Sequence, residues 1–203
     1  LYGWHDQFSA VDEMKYSPDN RYLAVAGHDM YIDIYATGAD YAHVARCSGH
    51  SATVSHLDWS ADSKLLQATD NAYELLYSSP RNGRQVLENQ RDTNWQTFTA
   101  VVGYSVMGIW ESGMDGTDVN AVDRSHSGDY LVASDDHSHV RLLSYPCVVE
   151  QAPAKVYNGH SSHVTNVRFS SDDTWVCSVG SRDRAVLQWR TRGIKPGEAP
   201  IEE

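Results

Sequence analysis

An all-β propeller is the fold class this sequence predicts, and three observations predict it. A short block, an apolar residue, a spacer, a mostly aromatic residue and a serine, occurs four times. The copies are Met14-Lys15-Tyr16-Ser17, Leu57-Asp58-Trp59-Ser60, Val122-Asp123-Arg124-Ser125 and Val167-Arg168-Phe169-Ser170. Their serines lie 43, 65 and 45 residues apart, and a period of about 40–45 residues is that of a four-stranded blade. Each block runs into a turn cluster and then into short runs of β-forming residues.

The fullest repeat is Asn158 to Trp189. Gly159-His160 opens it at a turn, and Val164, Val167 and Phe169 form an apolar run that stops at Ser170-Ser171-Asp172-Asp173. Trp175 to Val179 reads as a second strand, and Ala185 to Gln188 as a third, closed by Trp189. A Gly-His opening and an aromatic end roughly 30 residues later mark a WD repeat. In such repeats the opening His, an Asp in the turn before the third strand and the closing aromatic hydrogen-bond to one another. Those roles fall on His160, Asp183 and Trp189, each polar and in need of a partner when buried. The hydroxyl that often completes the network is expected four residues before Asp183, where Val179 stands, so a shortened network is expected.

The first copy continues through a turn with Pro18 pre-set at its second position. Tyr22 to Ala26 is the next strand, and Asp29 then stands six residues before the closing aromatic Tyr35. Residues 41–47 form the outer strand and lead to Ser48-Gly49-His50, so His50, Asp29 and Tyr35 take the network roles in this part of the chain. In the second copy, strands are expected at Leu65 to Thr69 and Tyr73 to Tyr77. Its Asp is displaced and Ser78 replaces the aromatic, so this blade should be the loosest. Residues 79–117 form an irregular insertion in which Trp95 to Val102 reads as a strand. Met107, Ile109 and Trp110 either pack over a propeller face or, for Trp110 with Met107, anchor a partner. The expected blades are 1–47, 48–102, 103–157 and 158–193, with a disordered acidic tail at 194–203. The last blade then lacks its outer strand, which leaves an open sheet edge. An incomplete arc follows, four blades of a larger propeller, seven-bladed or tandem, with the missing blades supplied by absent sequence or by another chain.

Composition narrows the function. The 203 residues carry 16 basic and 27 acidic side chains, a net charge of −11. That balance argues against nucleic acid and against anionic membrane surfaces, which both call for a basic face. No apolar run approaches the roughly 20 residues that span a bilayer. Three cysteines, Cys47, Cys147 and Cys177, lack metal-like spacing and read as reduced thiols of a cytosolic protein. Ten histidines invite a metal reading, with His137 and His139 alternating and His160 and His163 three apart. A zinc site needs three or four converging ligands, and His160 already has a structural role, so no metal and no cofactor are expected. Asp115, Asp118 and Asp123 lack the bidentate Glu of a calcium loop. Neither a G-x-S-x-G elbow nor a phosphate-cradling loop is present, and no catalytic residue is assigned. Arg182, Arg184, Arg190, Arg192 and Lys195 form a small basic cluster, either solvated blade edge or a contact for an acidic partner.

Beyond the repeat itself, the chain resembles the C-terminal propeller of the echinoderm microtubule-associated protein-like family. The resemblance rests on Ser48-Gly49-His50-Ser51, His56-Leu57-Asp58-Trp59-Ser60, Tyr73-Glu74-Leu75-Leu76-Tyr77, Arg91-Asp92 with Trp95, and Gly108-Ile109-Trp110. It continues through Asp115 to Val122, Ser144-Tyr145-Pro146-Cys147, Ala152-Pro153 and Gly159 to Val167. Ser78 stands where the family has Trp, and Ala72 where it has Asp. The resemblance implies two tightly joined propellers, of which this chain supplies the last four blades, and no catalytic or metal residue. It implies a non-catalytic scaffold bound to tubulin, microtubules or microtubule-associated proteins, in the cytoplasm and cytoskeleton or in the axoneme of a cilium or flagellum. The basic coiled-coil region that anchors the family to microtubules is not in this sequence. The alternative is a WD-repeat adaptor that binds a peptide or signalling partner without touching tubulin.

Overall fold

The computed structural model describes residues 9–115 and 118–191. The expected tail at 194–203, and Arg192 and Lys195 with it, lie outside them. Four antiparallel sheets account for all the strands among the described residues. The chain divides into two compact units, residues 1–102 and 103–203.

In the first unit, one sheet is a meander of β1 (Val11–Tyr16), β2 (Tyr22–Gly27), β3 (Ile32–Ala36) and β4 (Ala42–Cys47). The other is β5 (Val54–Trp59), β6 (Leu66–Asp70) and β7 (Leu75–Ser78). In the second unit, β8 (Val119–Arg124), β9 (Tyr130–Asp135), β10 (His139–Ser144) and β11 (Lys155–Asn158) form one sheet. The last sheet has three strands among the described residues, β12 (Val164–Phe169), β13 (Trp175–Gly180) and β14 (Val186–Arg190). The four blocks that marked the repeat sit at the ends of β1, β5, β8 and β12.

The serine of each block has one job, repeated four times. Ser17, Ser60, Ser125 and Ser170 each accept the backbone N–H five residues on at Oγ, over 3.0, 2.9, 3.0 and 3.0 Å. Each hydroxyl also bonds the side chain two residues on, Asp19, Asp62, Ser127 or Asp172. This closes the hairpin from the inside and leaves the fourth turn residue in the left-handed region, Asn20, Ser63, Gly128 or Asp173. In two of the four turns that residue stitches neighbouring turns together. Ser63 Oγ accepts the N–H of Asp19, and the Asp173 carboxylate accepts the N–H groups of His126 and Ser127.

Strand alternation puts two apolar faces on each sheet, and sheets stack through them. In the first unit Ala24, Ala26, Ile32 and Ile34 meet Leu57, Trp59, Leu66 and Ala68, all buried. Trp59 stacks on Tyr22 and donates from its indole N–H to the carbonyl of Lys15 at 3.0 Å. In the second unit Val132, Val140 and Leu142 meet Val164, Val167, Phe169 and Val176.

One expectation is overturned in the first unit. Trp95 to Val102 is not a strand. Its strand-like pairing is limited to the isolated bridge Ser60 to Trp95, just past β5, because the backbone N–H groups of Thr99 and Ala100 are taken by the Asp58 carboxylate at 2.8 and 3.2 Å. All of β6 in the second sheet is buried. The insertion supplies the aromatic bulk that Ser78 withholds: Trp95 stacks on Tyr77 at 5.9 Å, and Trp95 and Phe98 are buried.

Asp58 is the polar counterpart of this packing. It is fully buried, and its oxygens accept from Lys15 Nζ at 3.1 Å, Gln67 Nε2 at 3.0 Å and the Thr97 and Thr99 hydroxyls. Burial by itself pushes a carboxyl upward, but the Lys15 charge and these hydrogen bonds outweigh it and hold Asp58 well below the ordinary carboxylate range. Asp58→Ala is therefore expected to destabilise the protein by about 3–5 kcal/mol, since Lys15 and two backbone donors lose their partner. Chemical denaturation followed by tryptophan fluorescence measures this. A depressed carboxyl stabilises above its unfolded value of 3.8 and loses that contribution as pH falls through the folded value. The acid limb of the stability–pH curve should accordingly be shallower in Asp58→Asn than in the parent.

Candidate functional site

The last sheet assembles the polar network that the sequence assigns to His160, Asp183 and Trp189. His160 opens the repeat ahead of β12, Asp183 lies in the turn between β13 and β14, and Trp189 is on β14. His160 Nδ1 is 2.8 Å from Asp183 Oδ2, His160 Nε2 is 2.8 Å from Ser178 Oγ, and Trp189 Nε1 is 2.8 Å from the same oxygen. Proton positions follow from the donors. An indole N–H can only donate, so Ser178 Oγ accepts from Trp189, and the Asp183 carboxylate can only accept. The imidazole hydrogen is then on Nδ1, donating to Asp183. The Ala185 N–H, the His160 contact and the Ser161 N–H keep the Asp183 carboxyl below its ordinary value.

The expectation of a shortened network is therefore corrected. The hydroxyl comes from Ser178, one residue before the Val179 position that the spacing singled out. Neighbours on a strand point to opposite faces: Ser178 is fully buried with Val176, whereas Val179 is 40% exposed. Alternation along β13 was the signal that could have found it.

Comparing registers shows how the other repeats depart. Ser178 pairs with Val167 as Ala68 does with Leu57, and Gly180 pairs with Val164 as Asp70 does with Val54 and Asp135 with Val119. A Cβ on Gly180 would meet Asp183 Oδ1 at 2.0 Å. The carboxylate therefore comes from the turn in the last sheet and from the strand end itself in the two others. His50 Nδ1 bonds Asp70 Oδ2 at 3.0 Å, while Asp70 Oδ1 takes the N–H groups of Ala72 and Glu74. With Ala68 in the hydroxyl position, His50 Nε2 is buried without a partner. In the third sheet Asp135 Oδ1 takes the N–H groups of His137 and His139, and its Oδ2 lies 3.4 Å from the guanidinium of buried Arg141, which also reaches Glu111 at 2.9 Å. Asp70, Asp135 and Arg141 were missed from sequence.

The remaining assigned residues are dispersed. Asp29 accepts the N–H of Tyr31 in its own turn, and Tyr35 lies edge-on to His43 at 5.5 Å. Met107 is on a 3₁₀ turn, Tyr104–Ile109, pinned by Gly108 N–H to the Cys147 carbonyl and Cys147 N–H to the Ser105 carbonyl. That turn buries Val106 and Ile109, half-buries Trp110 and leaves Met107 exposed. Arg182 and Arg184 flank Asp183, whereas Arg190 stacks over Trp175 at the far end of β14, so the arginines do not form one patch. Among the described residues one trio of potential metal ligands converges, His50, Asp70 and Glu74. Three of its atoms are engaged in hydrogen bonds: His50 Nδ1 with Asp70 Oδ2, and Glu74 Oε2 with both the N–H and the hydroxyl of Ser51. This is hydrogen-bonding work that holds turns in place. No helix among the described residues is long and apolar enough to cross a membrane.

Ser178→Ala should cost about 1–3 kcal/mol, because the His160 and Trp189 groups lose a buried partner. The opposite change, Ala68→Ser, should stabilise by about 1 kcal/mol by giving His50 Nε2 a donor. Paired denaturation midpoints of the two variants and the parent test both signs.

Comparison with known proteins agrees with this architecture. The sequence model described as "Echinoderm microtubule-associated protein second beta-propeller" matches residues 1–191. The chain is 46% identical over 182 residues to echinoderm microtubule-associated protein-like 1 of Mus musculus, covering 87% of this chain and 22% of that protein. It is 48% identical over 183 residues to the 77 kDa echinoderm microtubule-associated protein of Lytechinus variegatus, covering 88% and 28%. With echinoderm microtubule-associated protein-like 4 of Homo sapiens it shares 42% identity over 183 residues, 87% and 19%. The chain thus spans about a fifth to a quarter of the length of these relatives. Four hairpin serines in one register, a stacked apolar interface in each unit and the His50–Asp70 and His160–Asp183 pairings, with a match running from residue 1 to 191, establish that this chain belongs to the echinoderm microtubule-associated protein family, in its second β-propeller.

Proposed function

We propose that this chain is a non-catalytic scaffold segment of a microtubule-associated protein, which holds tubulin or a microtubule in the cytoskeleton, including the axoneme of cilia. The observation that carries this reading is the family match along residues 1–191, with relatives whose names describe microtubule-associated proteins. The site chemistry supports it, because the buried His, Asp, Ser and Trp groups of the last sheet are spent on one another.

The net charge of −11 gives no long-range attraction to an acidic lattice, so contact is local. Exposed Arg182 and Arg184 beside β14, and exposed Met107 next to Trp110, are the residues that would make it. The test is co-sedimentation of the intact parent protein with microtubules at low salt. Arg182→Glu and Arg184→Glu should each weaken pelleting by roughly two- to fivefold, the worth of an exposed ion pair, with an unchanged thermal midpoint. Absence of the parent from the pellet would overturn the proposal and leave an adaptor role with other partners.

A further inference from the structure

Two glycines bracket the segment that carries Met107 and Trp110. Gly103 and Gly113 have φ of 138° and 89°, backbone that glycine adopts freely and other residues rarely do. Between them run the Tyr104–Ile109 turn, Trp110, Glu111 and Ser112. The segment closes over the loop that follows β10. Gly108 N–H donates to the Cys147 carbonyl at 2.9 Å, and Cys147 N–H to the Ser105 carbonyl at 2.8 Å. The approach at Gly108 is close: a Cβ there would run into the Val149 carbonyl oxygen and meet Cys147 Sγ at 2.8 Å. Cys147 is buried, and that burial pushes its thiol up against the pull of the Arg141 charge.

One further tie holds the segment down. Glu111 Oε1 accepts from Arg141 Nη1 at 2.9 Å. The two ends of this ion pair differ, with the Arg141 side chain 1% exposed and the Glu111 side chain 51%. Arg141 also lies 3.4 Å from the carboxylate of fully buried Asp135. The guanidinium therefore keeps a buried counter-charge when Glu111 leaves, and a released Glu111 is taken up by water. Removing one partner of a buried pair is costly because it strands the other charge. Opening this tie strands none, so it is a releasable contact.

We infer that residues 104–112 form a lid, hinged at Gly103 and Gly113 and latched by Glu111 on Arg141, whose release uncovers Cys147 and moves Met107 and Trp110 with it. The lid goes beyond the partner contact proposed above and does not rest on it. Its opening is local to the second unit, whereas Cys47 is buried on β4 of the first. The two thiols thus report separately on the lid and on the opening of the first sheet.

Thiol labelling of the 203-residue chain tests this, with mass spectrometry resolving Cys47, Cys147 and Cys177. Cys177 is exposed and should label at once in every variant. Glu111→Ala should speed Cys147 labelling about tenfold, the worth of a hydrogen bond to a charged group. Gly108→Ala should speed it too, because the added methyl group keeps the lid from seating. Cys47 should label at the parent rate in both. Circular dichroism checks that each variant folds, and Glu111→Ala carries the test alone if Gly108→Ala does not. Cys147 labelling that stays at the parent rate in either folded variant, or that rises only in step with Cys47, would overturn the inference.

Discussion

A three- or four-stranded sheet with apolar side chains on both faces is not stable by itself, and the rest of this structure depends on that constraint. Burying a Leu, Ile or Phe fully is worth about 1.5–3 kcal/mol, and these sheets reach that burial only by lying against one another. Chain order then serves stacking. Short hairpins closed by one serine build each sheet, and in two of the turns the fourth residue, Ser63 or Asp173, reaches a neighbouring turn.

Stacking carries a polar cost, since strand ends and turns inside the stack leave N–H groups and carboxylates away from water. The chain meets that cost with aspartates that accept several donors at once. Asp58 accepts from Lys15, Gln67, Thr97, Thr99 and Ala100, and so ties the first sheet, the second sheet and the insertion to one carboxylate. Asp70 and Asp135 hold their turns from the strand end, and Asp183 does the same from the turn, in space left by Gly180. A buried acid with this many donors is tightly placed, which is why the same few positions recur while their donors differ from sheet to sheet.

The relation to the family is consistent with this economy. The reactive-looking side chains of the last sheet, His160, Ser178, Asp183 and Trp189, are hydrogen-bonded to one another.

The amino-acid sequence determined the repeat, its sheets and most strand positions, because those follow from local alternation and from a serine whose bonds reach no further than five residues. His160, Asp183 and Trp189 were legible for the same reason, lying within one repeat at fixed spacing. Tertiary structure decided what depends on which face a side chain takes and on which distant segment arrives there. It chose Ser178 over Val179, put Asp70 opposite His50, buried Arg141 against Asp135, and turned the expected strand at Trp95 into a segment held by Asp58. Apart from the Asp135–Arg141 pair, six residues apart, these outcomes rest on contacts between residues 18 to 41 positions apart, where local pattern carries no information and packing alone selects the partner.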